Sequence, residues 1–390
     1  MPHQLKSALR KIQVFLLFTV FSLSGFHCLG LALSDDTNSI NRQIHKDTLL
    51  SRLKFSSYID VYYARYTDSV GPGKFQKFGF VSPISNTFGI NIAQITGEYS
   101  SNRIRSTVTI QFGDLPRAVW SPVYNYIQEA NAGVKLFKNV WFDAGFFRSH
   151  IGTESLLPRD NICSSMSVIS WCEPFCQAGL RFTYTPCDKF TGALYIVNGY
   201  NEFIVANKKK AAGLAITYNI TDHCNVQYND LLSDDTPDSI SMSHWRFLNN
   251  FVFNIETNKI KFQVGVDYIT QQNSDIGYAY NAYVYSTATM ASIIYTMRYQ
   301  CFKRFAIYGR FEALFDQQGI LIEPDSYNFN NPAYNLTGET FGMEYKPAEN
   351  SYIRLEGRKI EMAPGENIFY TNGNYVSTRE EAMINMGISF

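Results

Sequence analysis

Apolar and polar residues alternate with a period of two along most of this chain. From Gln177 to Tyr184 the apolar Ala178, Leu180, Phe182 and Tyr184 interleave with Gln177, Gly179, Arg181 and Thr183. Successive side chains of an extended strand point to opposite faces, so the run builds one greasy face and one polar face. Thr185-Pro186-Cys187-Asp188 supplies turn chemistry, and a second extended run follows through Leu194, Ile196 and Val197. The pair predicts a β-hairpin with arms of about ten residues, the length a tilted strand needs to cross a bilayer. A soluble antiparallel sheet with one wet face has the same rhythm. Here the rhythm recurs from residue 55 to the end.

The first strand sets Ile59, Val61 and Tyr63 against Tyr58, Asp60 and Tyr62. A long Gly/Pro-containing loop over 67–87 follows, and Phe88, Ile90 and Ile92 open a second strand that turns near Ser100-Ser101. In the third, Ile104, Val108, Ile110 and Phe112 oppose Arg103, Arg105, Thr107, Thr109 and Gln111. Short turns are predicted at Phe137-Lys138-Asn139, Pro186-Cys187-Asp188, Thr221-Asp222-His223, Thr257-Asn258-Lys259, Gln300-Cys301-Phe302 and Pro347-Ala348-Glu349. Between these pairs lie longer polar stretches near 113–124, 149–173, 199–209, 233–244, 271–288, 316–334 and 362–380. Short turns at one end and long loops at the other predict an all-β fold. It is a transmembrane antiparallel up-and-down β-barrel of about sixteen strands, with periplasmic turns and extracellular loops. A barrel of about that size leaves an aqueous channel. A lipid-exposed strand edge would strand backbone donors and acceptors, so the first and last strands must pair. The last run carries Ala382, Ile384, Met386, Ile388 and Phe390 on one face and Asn385, Gly387 and Ser389 on the other. An alternating final strand ending in Phe390 resembles the signal read by the outer-membrane barrel assembly machinery.

Composition narrows the field. Charged residues are 17%, below the ~25% usual for soluble domains. Aromatics reach 15%, as expected for girdles at both membrane interfaces. No long apolar run follows the N-terminal region, which excludes a multi-span helical protein. Lys6, Arg10 and Lys11 precede an apolar run from Ile12 to about Leu33. This reads as a signal peptide over 1–32, cleaved near Ala32. The alternatives are an uncleaved helical anchor and, through Cys28, a lipoprotein signal that His27 fits poorly. A periplasmic linker over 33–53 and a barrel over 54–390 complete the division. A plug formed by the linker is the sharper alternative. The formal net charge is zero, and no basic patch suggests a nucleic-acid partner.

Trp141-Phe142-Asp143-Ala144-Gly145 is followed by His150-Ile151-Gly152 with Glu154 and Ser155, then by Tyr184-Thr185-Pro186 and Val197-Asn198-Gly199. This ordered series resembles the OmpL-like β-barrel porins of Gram-negative outer membranes. It is densest from about Gln128 to Tyr218. The resemblance implies an outer-membrane channel and assigns neither a substrate nor a catalytic residue.

On the polar face, candidate pore-lining charges are Asp60, Arg103, Arg105, Lys135, Asp143, Arg181, Lys261, Asp267, Arg310 and Glu312. The adjacent Arg354, Glu356 and Arg358 read as a ladder satisfied across strands. The mix leans slightly basic, which suits a weak anion preference. The third long loop, 149–173, is either an external loop or one folded inward to narrow the pore, with His150, Glu154, Arg159 and Asp160 near the constriction. His150 and Glu154 could share a metal on a helix, but Gly152 and Pro158 argue against one. Asp234, Asp235 and Asp238 lack the glycine of a calcium loop. Of the cysteines, Cys163 and Cys172 flank one loop; free thiols or one loop disulfide both fit. No nucleophile elbow, phosphate loop or paired-carboxylate motif appears, so neither enzyme nor cofactor is expected. The reading is a passive porin for small hydrophilic solutes or ions, in contact with outer-membrane lipid and possible as a homo-oligomer. The alternatives are a substrate-specific channel and an adhesive or structural barrel.

Overall fold

The two-residue rhythm folds into sixteen antiparallel strands that close on themselves. The structure is a computed structural model that describes residues 49–204, 207–279, 282–320 and 334–390. The expected signal segment and the linker up to residue 48 lie outside the described residues. Leu49–Arg52 forms a turn of 3-10 helix, and the first strand begins at Leu53.

The strands are β1 Leu53–Tyr66, β2 Thr87–Ser100, β3 Ile104–Phe112, β4 Ile127–Phe137, β5 Val140–Arg148, β6 Cys176–Cys187, β7 Phe190–Val197, β8 Ala211–Thr221 and β9 Cys224–Ser233. They continue as β10 Arg246–Glu256, β11 Ile260–Ala279, β12 Ala282–Phe302, β13 Phe305–Asp316, β14 Tyr334–Tyr345 and β15 Ser351–Met362. A separate small hairpin, β16 Phe369–Thr371 with β17 Asn374–Val376, stands in the last long loop, and β18 Thr378–Ser389 completes the wall. Closure runs from Tyr58 opposite Ser389 to Tyr66 opposite Glu381. The Ser57 and Phe390 backbones exchange two further bonds, at 2.6 and 3.0 Å. The last residue of the chain is therefore part of the seam.

The faces are inverted relative to a soluble protein. On β18, Ile384, Met386 and Ile388 are 43–46% exposed, while Arg379, Glu381 and Asn385 between them are at most 5% exposed. Apolar side chains coat the outside and charged ones are enclosed, the arrangement a bilayer requires. The enclosed side is not polar throughout. Leu248, Ile269, Ile294, Leu314 and Leu336 also face inward and pack with Val168 and Ile169 of the 149–175 connection. Strict polar-inside alternation fails there because loop side chains, rather than water, meet the wall.

Three local expectations are corrected. β6 runs on through Pro186 to Cys187, so the turn after it is Asp188-Lys189 and not Pro186-Cys187-Asp188. β12 runs on through Cys301 to Phe302, so the turn is Lys303-Arg304 and not Gln300-Cys301-Phe302. An irregularity between Gln300 and Phe302 breaks the alternation that marked the strand end. The stretch 271–288 is largely strand, not loop: β11 and β12 pair from Asp275–Ser286 to Ala279–Ala282. Tyr283, Val284, Tyr285 and Ser286 are all exposed, so both faces of this ribbon are open and no alternation is required.

Candidate functional site

The connection between β5 and β6, residues 149–175, is bonded to the inner wall on several sides. A loop crossing a barrel must satisfy its own backbone polar groups. Here wall charges do so. Glu356 accepts from the backbone N–H of Ser164 at 2.7 Å and of Ser165 at 3.0 Å, and Glu312 accepts from Val168 N–H at 2.6 Å. Arg354 donates to the carbonyls of Pro158 at 2.8 Å, Asn161 at 3.0 Å and Cys163 at 3.2 Å. Within the loop, Glu154 accepts from Arg310 at 2.7 Å and from the Ser167 N–H at 2.6 Å. On another part of the wall, Gln263 donates to the Thr153 carbonyl at 2.9 Å and Asn250 to its hydroxyl at 3.2 Å. Charge-assisted bonds of this kind are about twice as strong as neutral ones.

The wall also leaves room for the loop. A Cβ built on Gly265 would lie 2.1 Å from Thr153 Oγ1 and 2.7 Å from Thr153 Cβ. One on Gly213 would meet the His150 ring at 2.7 Å. His150 stacks on Tyr195 with centroids 3.9 Å apart. Its Nδ1 pairs with Gln177 Oε1 at 3.0 Å and its Nε2 with the Asp230 carbonyl at 2.9 Å. Burial holds its pKa below the usual histidine range. Both ring nitrogens are occupied, and no set of three metal-ligating side chains occurs among the described residues.

Between the loop and the β4–β7 wall lies a cavity of about 420 Å³ lined by Glu129, Arg148, His150, Glu154, Arg181 and Tyr195, among others. Basic groups dominate this wall. Arg105 and Arg181 share the single carboxylate of Asp143, at 2.5 and 3.1 Å. The guanidinium of Arg105 lies 4.5 Å from the Trp141 ring centroid and Lys135 Nζ 5.7 Å from it. Arg148 pairs with Glu129. On β3–β6 four cations thus face the two carboxylates Glu129 and Asp143, while the loop side of the cavity adds Glu154 and Glu173.

The predicted residues divide into three groups. Arg105, Lys135, Arg181 and Lys261 keep part of their side chains open. Asp60, Asp143, Asp267, Arg310 and Glu312 face inward but are buried beneath partners. Arg103 lies exposed in the turn between β2 and β3 and does not join the others. Of the loop residues, Glu154 is buried, and the Arg159 guanidinium lies 4.8 Å from the Tyr58 ring centroid while Nη1 bonds Ser389 Oγ at 3.2 Å. Asp160 is about half exposed, 3.6 Å from Arg159.

Arg354 and Arg358 are satisfied across strands as expected, whereas Glu356 turns to the loop. Arg354 pairs with Glu344 at 2.8 Å, Arg358 pairs with Glu312 at 2.6 Å, and Glu356 serves the loop. Sequence reading missed Arg298, Glu344, Arg379 and Glu381, which extend this network, although each occupies an inward alternate position. It placed the loop after β1 but not its bonding to the inner wall, where Ser82 donates its backbone N–H to Asn91 at 2.5 Å and accepts from Asn385 at 3.0 Å. Cys163, Cys172 and Cys176 are buried free thiols. The triad of loop aspartates is likewise not a metal cage, because Lys209 sits on Asp234 at 2.5 Å.

The family described as "Putative beta-barrel porin-2, OmpL-like" matches residues 52–390. The chain belongs to that family. The match spans the whole barrel and agrees with the resemblance carried by the 141–199 motifs. No curated protein matches the sequence. Solved structures share this porin fold at low identity. The outer membrane channel DcaP of Acinetobacter baumannii has a TM-score of 0.60 at 10% identity, covering 87% of this chain and 97% of that one. An anion-selective porin from Comamonas acidovorans has a TM-score of 0.61 at 6% identity, covering 87% and 99%. The outer membrane protein OmpT of Vibrio cholerae, solved in a trimer form, has a TM-score of 0.50 at 11% identity, covering 87% and 99%.

Proposed function

We propose that this OmpL-like porin is a passive outer-membrane channel for small hydrophilic solutes and ions, with the 149–175 loop narrowing its bore. The observation that carries the reading is the loop held by Arg310, Glu312, Arg354 and Glu356, opposite a wall that keeps open basic groups. Solutes pass beside the loop, past Arg105, Arg148 and Arg181. The buried network neutralises itself, so the open groups set the local potential. Their excess of positive charge favours anions. No step in this transport consumes energy or uses a cofactor, and no chemistry is performed on the solute. The exposed apolar exterior contacts outer-membrane lipid. The closing strand with Phe390 is the segment presented to the assembly machinery, and association of identical copies is in keeping with the trimer form of a protein sharing the fold. The N-terminal segment 1–32 directs export and is removed.

Reversal potential across a planar bilayer under a potassium chloride gradient tests the selectivity. The wild type is expected to favour chloride. Arg105→Gln with Arg181→Gln removes two of the four cations and should shift the reversal potential toward potassium. An unchanged potential in the double variant would show that these arginines do not face the permeating ions.

A further inference from the structure

A second cavity, of about 440 Å³, shares Phe175 with the first and is otherwise lined by different residues. Trp120, Trp171, Phe175 and Tyr200 supply much of its lining, with Glu202 and Asp235 beside them. The aromatic rings are braced from behind. Phe80 contacts Trp171 at 5.8 Å and Phe175 at 5.4 Å between centroids, and Trp120 meets Phe203 at 6.1 Å. Tyr200 is fixed at both ends: its hydroxyl donates to the Cys172 carbonyl and its N–H to Asp235 at 2.9 Å. A site prepared in this way loses little conformational freedom when it is filled.

Its charges are unbalanced. Arg246 is the cation in the lining, and it is already engaged: its guanidinium lies 4.7 Å from the Tyr200 centroid, and its Nε donates to Gln271 at 2.7 Å. Asp235 accepts from the Tyr200 N–H and the Ser233 hydroxyl. Glu202 has no hydrogen-bond or ion-pair partner among the described residues. Partial burial, then the charge of Asp235, holds its pKa above the usual carboxylate range. Two carboxylates against one committed guanidinium leave the pocket short of one positive charge. The faces of Trp, Tyr and Phe rings carry negative potential and attract cations in the same way.

We infer that this cavity binds a small organic cation with a flat apolar body, the body against the aromatic walls and the ammonium group toward Glu202 and Asp235. The site differs in chemistry from the basic wall at the loop. It does not depend on whether the barrel conducts.

The test uses the full chain in detergent micelles and three probes of one shape: phenethylamine, 2-phenylethanol and phenylacetate. Calorimetry reports binding, and tryptophan emission reports its place, since two of the four tryptophans line the cavity. Phenethylamine should bind saturably and shift the emission, with the alcohol weaker and phenylacetate weaker by about tenfold or more. Glu202→Gln, at a site without a structural bond to lose, should weaken phenethylamine about fivefold or more and leave 2-phenylethanol unchanged. Equal binding of all three probes would reduce the cavity to a greasy surface. Tighter binding of phenylacetate would assign recognition to Arg246 instead. Either result, or an unaffected Glu202→Gln variant, overturns the inference. Bilayer conductance measured on the same preparation keeps the porin reading separately testable.

Discussion

Gly265 has no side chain where Thr153 fills the space. The built Cβ meets Thr153 at both Oγ1 and Cβ, and a β-branched side chain cannot swing its own Cβ aside. Gly265→Val should therefore push this end of the loop off the wall and raise single-channel conductance. Adding Thr153→Gly restores the room and should return conductance toward the wild-type value. Conductance unmoved by Gly265→Val would mean that the contact does not shape the path. Arg310 tests the other end. It is fully buried, bonded to Glu154 and to the Ser165 carbonyl. Removing one member of a buried ion pair costs about 3–5 kcal/mol because a carboxylate is left unpaired. Arg310→Met should free the loop and make trypsin cut rapidly after Arg159; wild-type resistance in the variant would count against the anchor. Alternation alone showed that Arg310 and Glu312 face inward. What covers them was not legible, because Arg310 and Glu154 are 156 residues apart and nothing in either neighbourhood announces the other.

Turns and strands were legible where local chemistry repeats, as at Thr257-Asn258-Lys259, where the Thr257 hydroxyl caps the turn by accepting from the Ile260 N–H at 3.0 Å. They were misread where one face rule does not apply. The β11–β12 ribbon extends beyond its last pairing with β10 at Arg246–Gln271, and a strand exposed on both faces needs no alternating pattern. Inward loops were the hardest elements to read, since a loop that enters a barrel and one that stays outside have similar compositions. The 149–175 loop also carries a pH dependence. Glu173 is buried, its Oε1 has no partner, and it lies beside Asp267 and Glu154 with Arg148 and Arg181 in the same cavity lining. Burial first, then the charges of Asp267 and Glu154, pushes its pKa well above the usual value. The docked loop thus holds a proton that a released loop would lose. Docking is strongest below the ordinary carboxylate pKa and weakens as pH rises through the raised docked value. Conductance recorded against pH should increase toward the alkaline side, and Glu173→Gln should flatten the curve at the low-conductance level. A wild-type conductance independent of pH would remove this role.

At the level of the whole molecule, the strand number and the closing of the last strand on the first follow from alternation and from the cost of a bare edge in lipid. The interior did not follow so simply. A polar bore was expected throughout, whereas apolar wall residues such as Leu314 and Ile360 pack with loop side chains inside the same cylinder. The family and the fold belong to porins. On this reading a narrowed aqueous path remains beside the loop. Single-channel recording of the wild type and of a variant lacking residues 153–170 decides whether that path exists. Steady ohmic steps that become larger on deletion are the predicted result; a silent wild type, or steps of the same size in both, would contradict it.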